Sequence, residues 1–156
     1  MKALATCTGI ALVATMMFMM GFSFTRSNDQ QQSKARILIV SQRTEFQEDV
    51  SKLVTDHYKG KSISTQLTGF NNLKTVKEEE WGAIVVLQSW DGSAAPSALT
   101  NLIKAARPQE KVIVVVSSET GSEKLSGVDG ITAASMKSAT PDAAKKIIAR
   151  IDKVLK

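Results

Sequence analysis

Continuous apolar runs alternate with amphipathic segments along residues 34–156. Most of the runs are rich in isoleucine, valine, leucine and alanine, which is typical of strands buried on both faces of a parallel sheet. Segment 62–67 alternates apolar and polar residues instead, which is typical of a strand with one less buried face. The pattern therefore predicts five strands, at 37–40, 62–67, 83–87, 112–116 and 130–133.

Apolar residues at helical spacing fill three of the connections between these strands. The first helix is predicted to begin at Thr44, where Gln47 completes a capping-box pattern. Pro96 suits the first turn of the second helix, and Thr140-Pro141-Asp142 provides a cap, a proline and an acid for the start of the last helix. A short helix is also expected at 73–77. Strands that alternate with helices predict a doubly wound α/β domain with a parallel sheet.

The amino-terminal segment has a different composition. Residues 3–25 carry no charge and 10–24 are densely apolar, which is long enough to span a bilayer as one helix of about 20 residues. An uncleaved membrane anchor is expected, because Phe residues flank Ser23 and make 21–23 a poor small-x-small cleavage site. The alternative is a signal peptide with Lys2 as its basic start, cleaved after 21–23 to give a secreted protein.

The chain therefore divides into an anchor or signal segment (1–25), a polar linker (26–33) and one folded domain (34–156). The short amino-terminal tail resembles an export signal, so the domain is expected to be extracytoplasmic. The single cysteine, Cys7, lies in the apolar segment, and the chain has one histidine, which argues against disulfides and metal sites in the domain. The net charge is +5, and the basic residues are scattered along the chain instead of clustered. The sequence therefore does not predict a nucleic-acid-binding surface.

Candidate binding residues follow the first and third strands. In an open α/β sheet, ligands bind outside the carboxyl ends of the strands, at the point where neighbouring connections leave to opposite faces. Helix starts offer N–H donors to anions, and a tryptophan offers a flat apolar surface. The candidate residues are Ser41, Arg43 and Thr44 in the first loop and Ser89, Trp90, Asp91 and Gly92 in the second.

These loops resemble those of the flavodoxin-like family, and the resemblance covers residues 34–156. In that family the first loop holds the phosphate of FMN with a Ser/Thr-x-Thr-Gly-x-Thr pattern, and the loop after strand three often places a tryptophan against the flavin ring. Segment 88–92 is similar to the second loop. Segment 41–46 keeps Ser41 and Thr44 but lacks the glycine, and Glu45 would place a negative charge beside the phosphate.

Two functions remain open. The departures in the first loop favour a membrane-tethered flavodoxin-like domain without a tightly bound cofactor, which acts as a binding or structural module for a protein partner. The alternative that the resemblance implies is an FMN-binding electron-transfer protein that uses the loops 41–44 and 89–93. No catalytic residue is assigned, since the chain has no Walker loop, no Gly-x-Ser-x-Gly elbow and no acidic residues at the positions that a response-regulator receiver requires.

Overall fold

The computed structural model describes residues 36–92 and 94–156, and these residues form five strands and three α-helices. In chain order the elements are β1 (Arg36–Ser41), α1 (Glu45–Tyr58), β2 (Ser64–Gly69), β3 (Ala83–Ser89), α2 (Ser97–Ala105), β4 (Val112–Ser118), β5 (Gly130–Ala134) and α3 (Thr140–Val154). The predicted anchor and the linker 26–33 lie outside the described residues. Within the described ranges, no helix has the length and apolar character needed to cross a membrane.

All strand pairings are parallel, and the strand order is β2-β1-β3-β4-β5. This order is that of the flavodoxin-like doubly wound fold, and the predicted α/β class is confirmed. The order places β1 beside β3, although β2 lies between them in sequence. The carboxyl ends of β1 and β3 therefore form the switch point of the sheet, where a crevice is expected.

Both faces of the sheet are buried, which explains why the strands read as unbroken apolar runs. On one face, α1 and α3 cover a cluster that includes Ile37, Ile39 and Val85. On the other face, α2 covers a cluster that includes Val40 and Val86. Neighbouring residues of one strand thus contribute to opposite clusters, as the pleat of a strand requires.

The second face has less helical cover than the first. The β2–β3 connection consists of two 3₁₀ segments, Phe70–Thr75 and Glu78–Glu80, so the helix predicted at 73–77 is corrected to a 3₁₀ segment that begins earlier. Glu78 forms an ion pair with Lys111, whose side chain is buried and also donates to the Glu78 carbonyl oxygen at 2.8 Å. This contact ties the connection to the start of β4.

Two further predictions from the sequence are corrected by the structure. β2 lies two residues later than predicted, and its Leu67 is 46% exposed because β2 is an edge strand. Thr140 is the first residue of α3 rather than its cap, since Ala139 occupies the cap position. The Thr140 hydroxyl is buried and has no hydrogen-bond partner.

Candidate functional site

The two candidate loops lie side by side at the switch point, as the sequence predicts. Ser41 ends β1 and Ser89 ends β3. The Ser89 backbone N–H donates to Gln42 Oε1 at 2.8 Å, so the first loop binds the second directly. The side chain that makes this contact, Gln42, was not among the candidates from the sequence.

Gln47 occupies the centre of this arrangement. It lies in the first turn of α1, and its side chain is 1% exposed. Its Oε1 atom accepts from Ser41 Oγ at 3.1 Å and from the Gln42 backbone N–H at 2.9 Å. Its Nε2 atom donates to Ser89 Oγ at 3.1 Å. One buried amide therefore joins the end of β1, the first loop and the end of β3.

Other side chains of the same loop bind two more of the amides at the start of α1. Ser41 Oγ accepts from the Arg43 N–H at 2.9 Å, and Thr44 Oγ1 accepts from the Gln47 N–H at 3.4 Å. The Thr44 cap predicted from the sequence is thus present. The reciprocal half of the capping box is absent, because the Gln47 side chain turns into the loop instead of back to the Thr44 N–H.

A phosphate at this position would need backbone N–H groups that point into an open loop. The amides of Gln42, Arg43 and Gln47 already donate to side chains of this chain. The Glu45 carboxylate is exposed at the first helical position, where it stabilises the helix but repels a dianion. These three amides are therefore not available to a phosphate such as that of FMN, and the neighbouring carboxylate would repel it.

Arg43 has an unusual backbone conformation. Its φ is +62°, which is the left-handed region that favours glycine. Its side chain is exposed. The loop therefore turns sharply at a residue with a Cβ atom, one position before Thr44.

The second loop holds Trp90 at the carboxyl edge of the sheet. The Trp90 backbone N–H donates to the Ser117 carbonyl oxygen at 2.7 Å, and the side chain is 41% exposed. Asp91 and Gly92 follow on the surface, and Gly92 has a φ of +82° with open space where a Cβ would lie. Ser93, the end of the predicted loop, lies outside the described residues. The indole is thus presented from a backbone that is fixed to β4.

A second apolar side chain lies on the other side of the end of β4. The Ser135 N–H donates to the Ser118 carbonyl oxygen at 2.7 Å, and the next residue, Met136, is 50% exposed. Trp90 and Met136 therefore flank the carboxyl end of β4. They are two of the four large apolar side chains that the described part of the chain exposes; the other two are Leu53 and Leu67.

The turn after β4 is closed by its own hydrogen bonds. Glu123 Oε2 accepts from the Ser118 hydroxyl, from Thr120 Oγ1 at 2.6 Å and from the Ser122 N–H at 3.1 Å. The hydrogen bonds from Ser118 and Thr120 lower the pKa of the Glu123 carboxyl to about 2. A Cβ at Gly121 would lie 2.5 Å from the Ala134 nitrogen, so this turn also packs tightly against β5. Its contacts are those of a structural turn.

The structure thus brings Ser41, Arg43 and Thr44 next to Ser89, with Trp90 directly after it. Ser41 and Thr44 accept hydrogen bonds from their own loop, and Ser89 binds both glutamines. Gln42 was not predicted from the sequence as a site residue, and Gln47 was predicted only as part of the capping box. A signal for Gln47 was present, because it falls among the buried positions of α1, where an uncharged polar side chain needs hydrogen-bond partners.

No protein-family model matches this chain, and no curated protein matches it. Among solved structures it is similar to the rubredoxin oxygen:oxidoreductase of the anaerobe Desulfovibrio gigas, with a TM-score of 0.45 and 9% identity over 78% of this chain and 35% of that one. It is also similar to the flavodiiron protein of Giardia intestinalis, with a TM-score of 0.45 and 9% identity over 80% of this chain and 39% of that one. The chain thus spans less than half the length of either protein. The fold assignment rests on the strand order of the chain itself.

Proposed function

We propose that this chain is a membrane-tethered flavodoxin-like domain that acts as a binding module without a tightly bound cofactor. One observation supports the lack of a tightly bound cofactor. The Gln47 side chain hydrogen-bonds the Ser41 hydroxyl, the Gln42 N–H and the Ser89 hydroxyl, and so joins the two loops between which a phosphate would have to bind. Opening the first loop would break contacts among buried polar groups, each of which costs about 1–3 kcal/mol when left unsatisfied.

The carboxyl edge still offers a surface to a partner. Trp90 and Met136 are exposed on either side of the end of β4. Tryptophan and methionine are both enriched at the centres of protein interfaces, and a tryptophan on a fixed backbone loses little freedom on binding. This edge is therefore the proposed site of contact with a protein partner.

The FMN alternative is tested by a fluorescence titration with FMN and, separately, with inorganic phosphate. Trp81→Phe is the background, because Trp81 also fluoresces and phenylalanine keeps an aromatic ring under Arg36, whose guanidinium carbon lies 4.3 Å from the Trp81 ring centroid. The proposal predicts no saturable change in Trp90 fluorescence at millimolar concentrations of either ligand. Saturable quenching of the Trp90 fluorescence by FMN would favour the electron-transfer function instead.

The tether is tested separately, by fractionating cells that express the full chain. The uncharged segment 3–25 is expected to remain in the mature protein and to keep it in the membrane fraction through a high-salt wash. A variant that lacks 3–25 is expected in the soluble fraction. A mature chain that begins after Ser23 and is recovered in the soluble fraction would replace the tether with a secreted domain.

A further inference from the structure

The edge strand β2 has no neighbour on its outer side among the described residues. Natural edge strands are commonly protected by charged side chains, proline or a bulge. The sequence of β2, Ser-Thr-Gln-Leu-Thr-Gly, has no charged residue and no proline, and it pairs with β1 at every position. Its outer backbone groups can therefore pair with another strand.

Two exposed leucines lie on this side of the molecule. Leu67 is 46% exposed and is paired in register with Ile39, which belongs to the cluster under α1. Leu53 is 40% exposed on α1 itself. Leu67 lies near the middle of β2 and Leu53 lies near the middle of α1, so the apolar part of this side is central.

The position of α3 shows which way Leu53 faces. Tyr58 Oη donates to Asp152 Oδ1 at 2.7 Å, so the Tyr58 side of α1 contacts α3. Leu53 is five residues earlier, which places it about 140° around the helix from Tyr58. Leu53 therefore lies on the side of α1 away from α3. In this strand order the element on that side is the free edge, β2.

Charges follow the same row of the helix symmetrically about Leu53. Asp49 lies one turn before Leu53 and His57 lies one turn after it. The Lys61 ammonium lies 2.8 Å from His57 Nε2 and 5.0 Å from the centroid of the Tyr58 ring, so a cation lies at the carboxyl end of α1, beside the His57 end of the row. The row thus reads acid, leucine, cation. Lys52 and Asp56 form the neighbouring row of α1, each directly before a residue of the Leu53 row, and their opposite charges cancel.

We propose that β2 and α1 form a self-complementary surface through which two copies of this chain associate about a two-fold axis. A two-fold axis perpendicular to β2 and α1 places each element antiparallel to its own copy, so the same patch serves on both sides. An axis near Leu53 brings the two Leu53 side chains together. It also places Asp49 of each copy opposite the His57–Lys61 pair of the other. The two β2 strands continue the sheet from one copy into the next.

This inference does not depend on the proposed function, because it uses the β2 side of the sheet and not the carboxyl edge with Trp90. A membrane tether would favour such a pair by confining the copies to one surface. Failure of the chain to self-associate would therefore leave the proposed binding module intact. Failure to find a protein partner would leave the proposed two-fold pair intact.

Cysteine cross-linking of the full chain, in whichever cell fraction holds it, tests the proposal. Cys7→Ser removes the only natural cysteine, and Leu53→Cys then provides one thiol close to the proposed axis. The matched control is Asn101→Cys, which is also exposed but lies on α2, the helix that covers the other face of the sheet. Mild oxidation is expected to convert the Leu53→Cys protein to a disulfide-linked dimer at least about tenfold faster than the control. Equal rates for the two thiols would mean random collision and would overturn the proposal.

Charge reversal in the Leu53→Cys protein tests the predicted register. Asp49→Lys alone and Lys61→Asp alone each place like charges opposite each other at two symmetric positions. Each is expected to slow cross-linking by about tenfold, and the double reversal Asp49→Lys with Lys61→Asp is expected to restore most of the rate. A double reversal that cross-links no faster than either single variant would contradict the two-fold arrangement.

Discussion

At the scale of single residues, Gln47 has the clearest effect on what the chain can bind. Its amide makes three hydrogen bonds, to Ser41, Gln42 and Ser89, in a position where the side chain is almost fully buried. Gln88 is equally buried, at 2% exposed, yet its Oε1 atom has no hydrogen-bond partner. The two glutamines thus differ in hydrogen bonding and not in burial.

Replacing each glutamine with leucine, which has a similar volume, separates these properties. Gln47→Leu leaves buried polar groups of the loop unsatisfied and is expected to lower the free energy of unfolding by about 2–3 kcal/mol. Gln88→Leu is expected to change it by less than about 1 kcal/mol, because an unpartnered buried oxygen is removed. Urea denaturation measures both values, and equal losses in the two variants would show that the Gln47 network contributes little.

Arg43 provides a second prediction at this scale. Its φ of +62° is costly for a residue with a Cβ atom and ordinary for glycine. Arg43→Gly is therefore expected to be more stable than Arg43→Ala by about 1 kcal/mol, although both variants lose the same charge. Thermal denaturation of the two variants under the same conditions measures the difference. If Arg43→Ala were as stable as Arg43→Gly, the left-handed turn would carry no strain.

At the scale of elements, the described connection between β4 and β5 has a hydrogen-bonded turn where a doubly wound fold usually has a helix. Glu123 closes this turn by accepting from Ser118, Thr120 and the Ser122 N–H. The turn also brings Gly121 against β5, so the edge of the sheet depends on it.

The pKa of Glu123 makes this turn sensitive to acid. Its value in the folded chain, about 2, is below the ordinary value of 4.5. A carboxyl with a lowered folded pKa contributes stability above the unfolded pKa, and the contribution disappears as the pH falls through the folded pKa. The difference in unfolding free energy between the natural chain and Glu123→Gln is therefore expected to be constant above pH 4.5 and to shrink between 4.5 and 2.

The control for this pH series is Glu119→Gln, since Glu119 is an exposed carboxyl in the same turn. Glu119 accepts none of the hydrogen bonds that close the turn, so this variant controls for the loss of a negative charge there. A Glu123→Gln difference that stays constant down to pH 2 would mean that the hydrogen bonds of the turn do not depend on the carboxylate.

Elements buried on both faces were predicted well from the sequence. β3 and β4 are continuous apolar runs, and each strand begins at the residue where its run begins. β2 was displaced by two residues because an edge strand has one open side, and its alternating pattern fixes the ends weakly. The start of α3 was predicted one residue too late. Thr140-Pro141-Asp142 fits a cap followed by the first turn as well as it fits the first turn itself.

The candidate site was predicted only in outline. The resemblance to the flavodoxin-like family implies the strand order, so the meeting of the loops after β1 and β3 could be foreseen. The contacts of Gln42 and Gln47 could not, because a hydrogen bond such as that from Gln47 Nε2 to Ser89 Oγ joins residues that are 42 positions apart. Sequence patterns report local periodicity, and long-range side-chain contacts of this kind are set by tertiary packing.

At the scale of the whole molecule, a parallel sheet of flavodoxin-like order carries two loops at its switch point that are joined by the side chains of Gln42 and Gln47. Trp90 and Met136 are exposed at the carboxyl edge of this sheet. The fold alone is compatible with flavin binding and with partner binding, because function depends on the site and not on the architecture.

The most direct test of the closed loop is the visible absorption spectrum of the full chain after expression in cells supplied with riboflavin. If the contacts of Gln47 stay in place, the preparation is expected to be colourless and without flavin bands. The flavin-to-protein ratio is then near zero after denaturation releases any bound cofactor. A yellow protein with about one FMN per chain would contradict the central claim, since the loop would then open and the contacts of Gln47 would give way to phosphate.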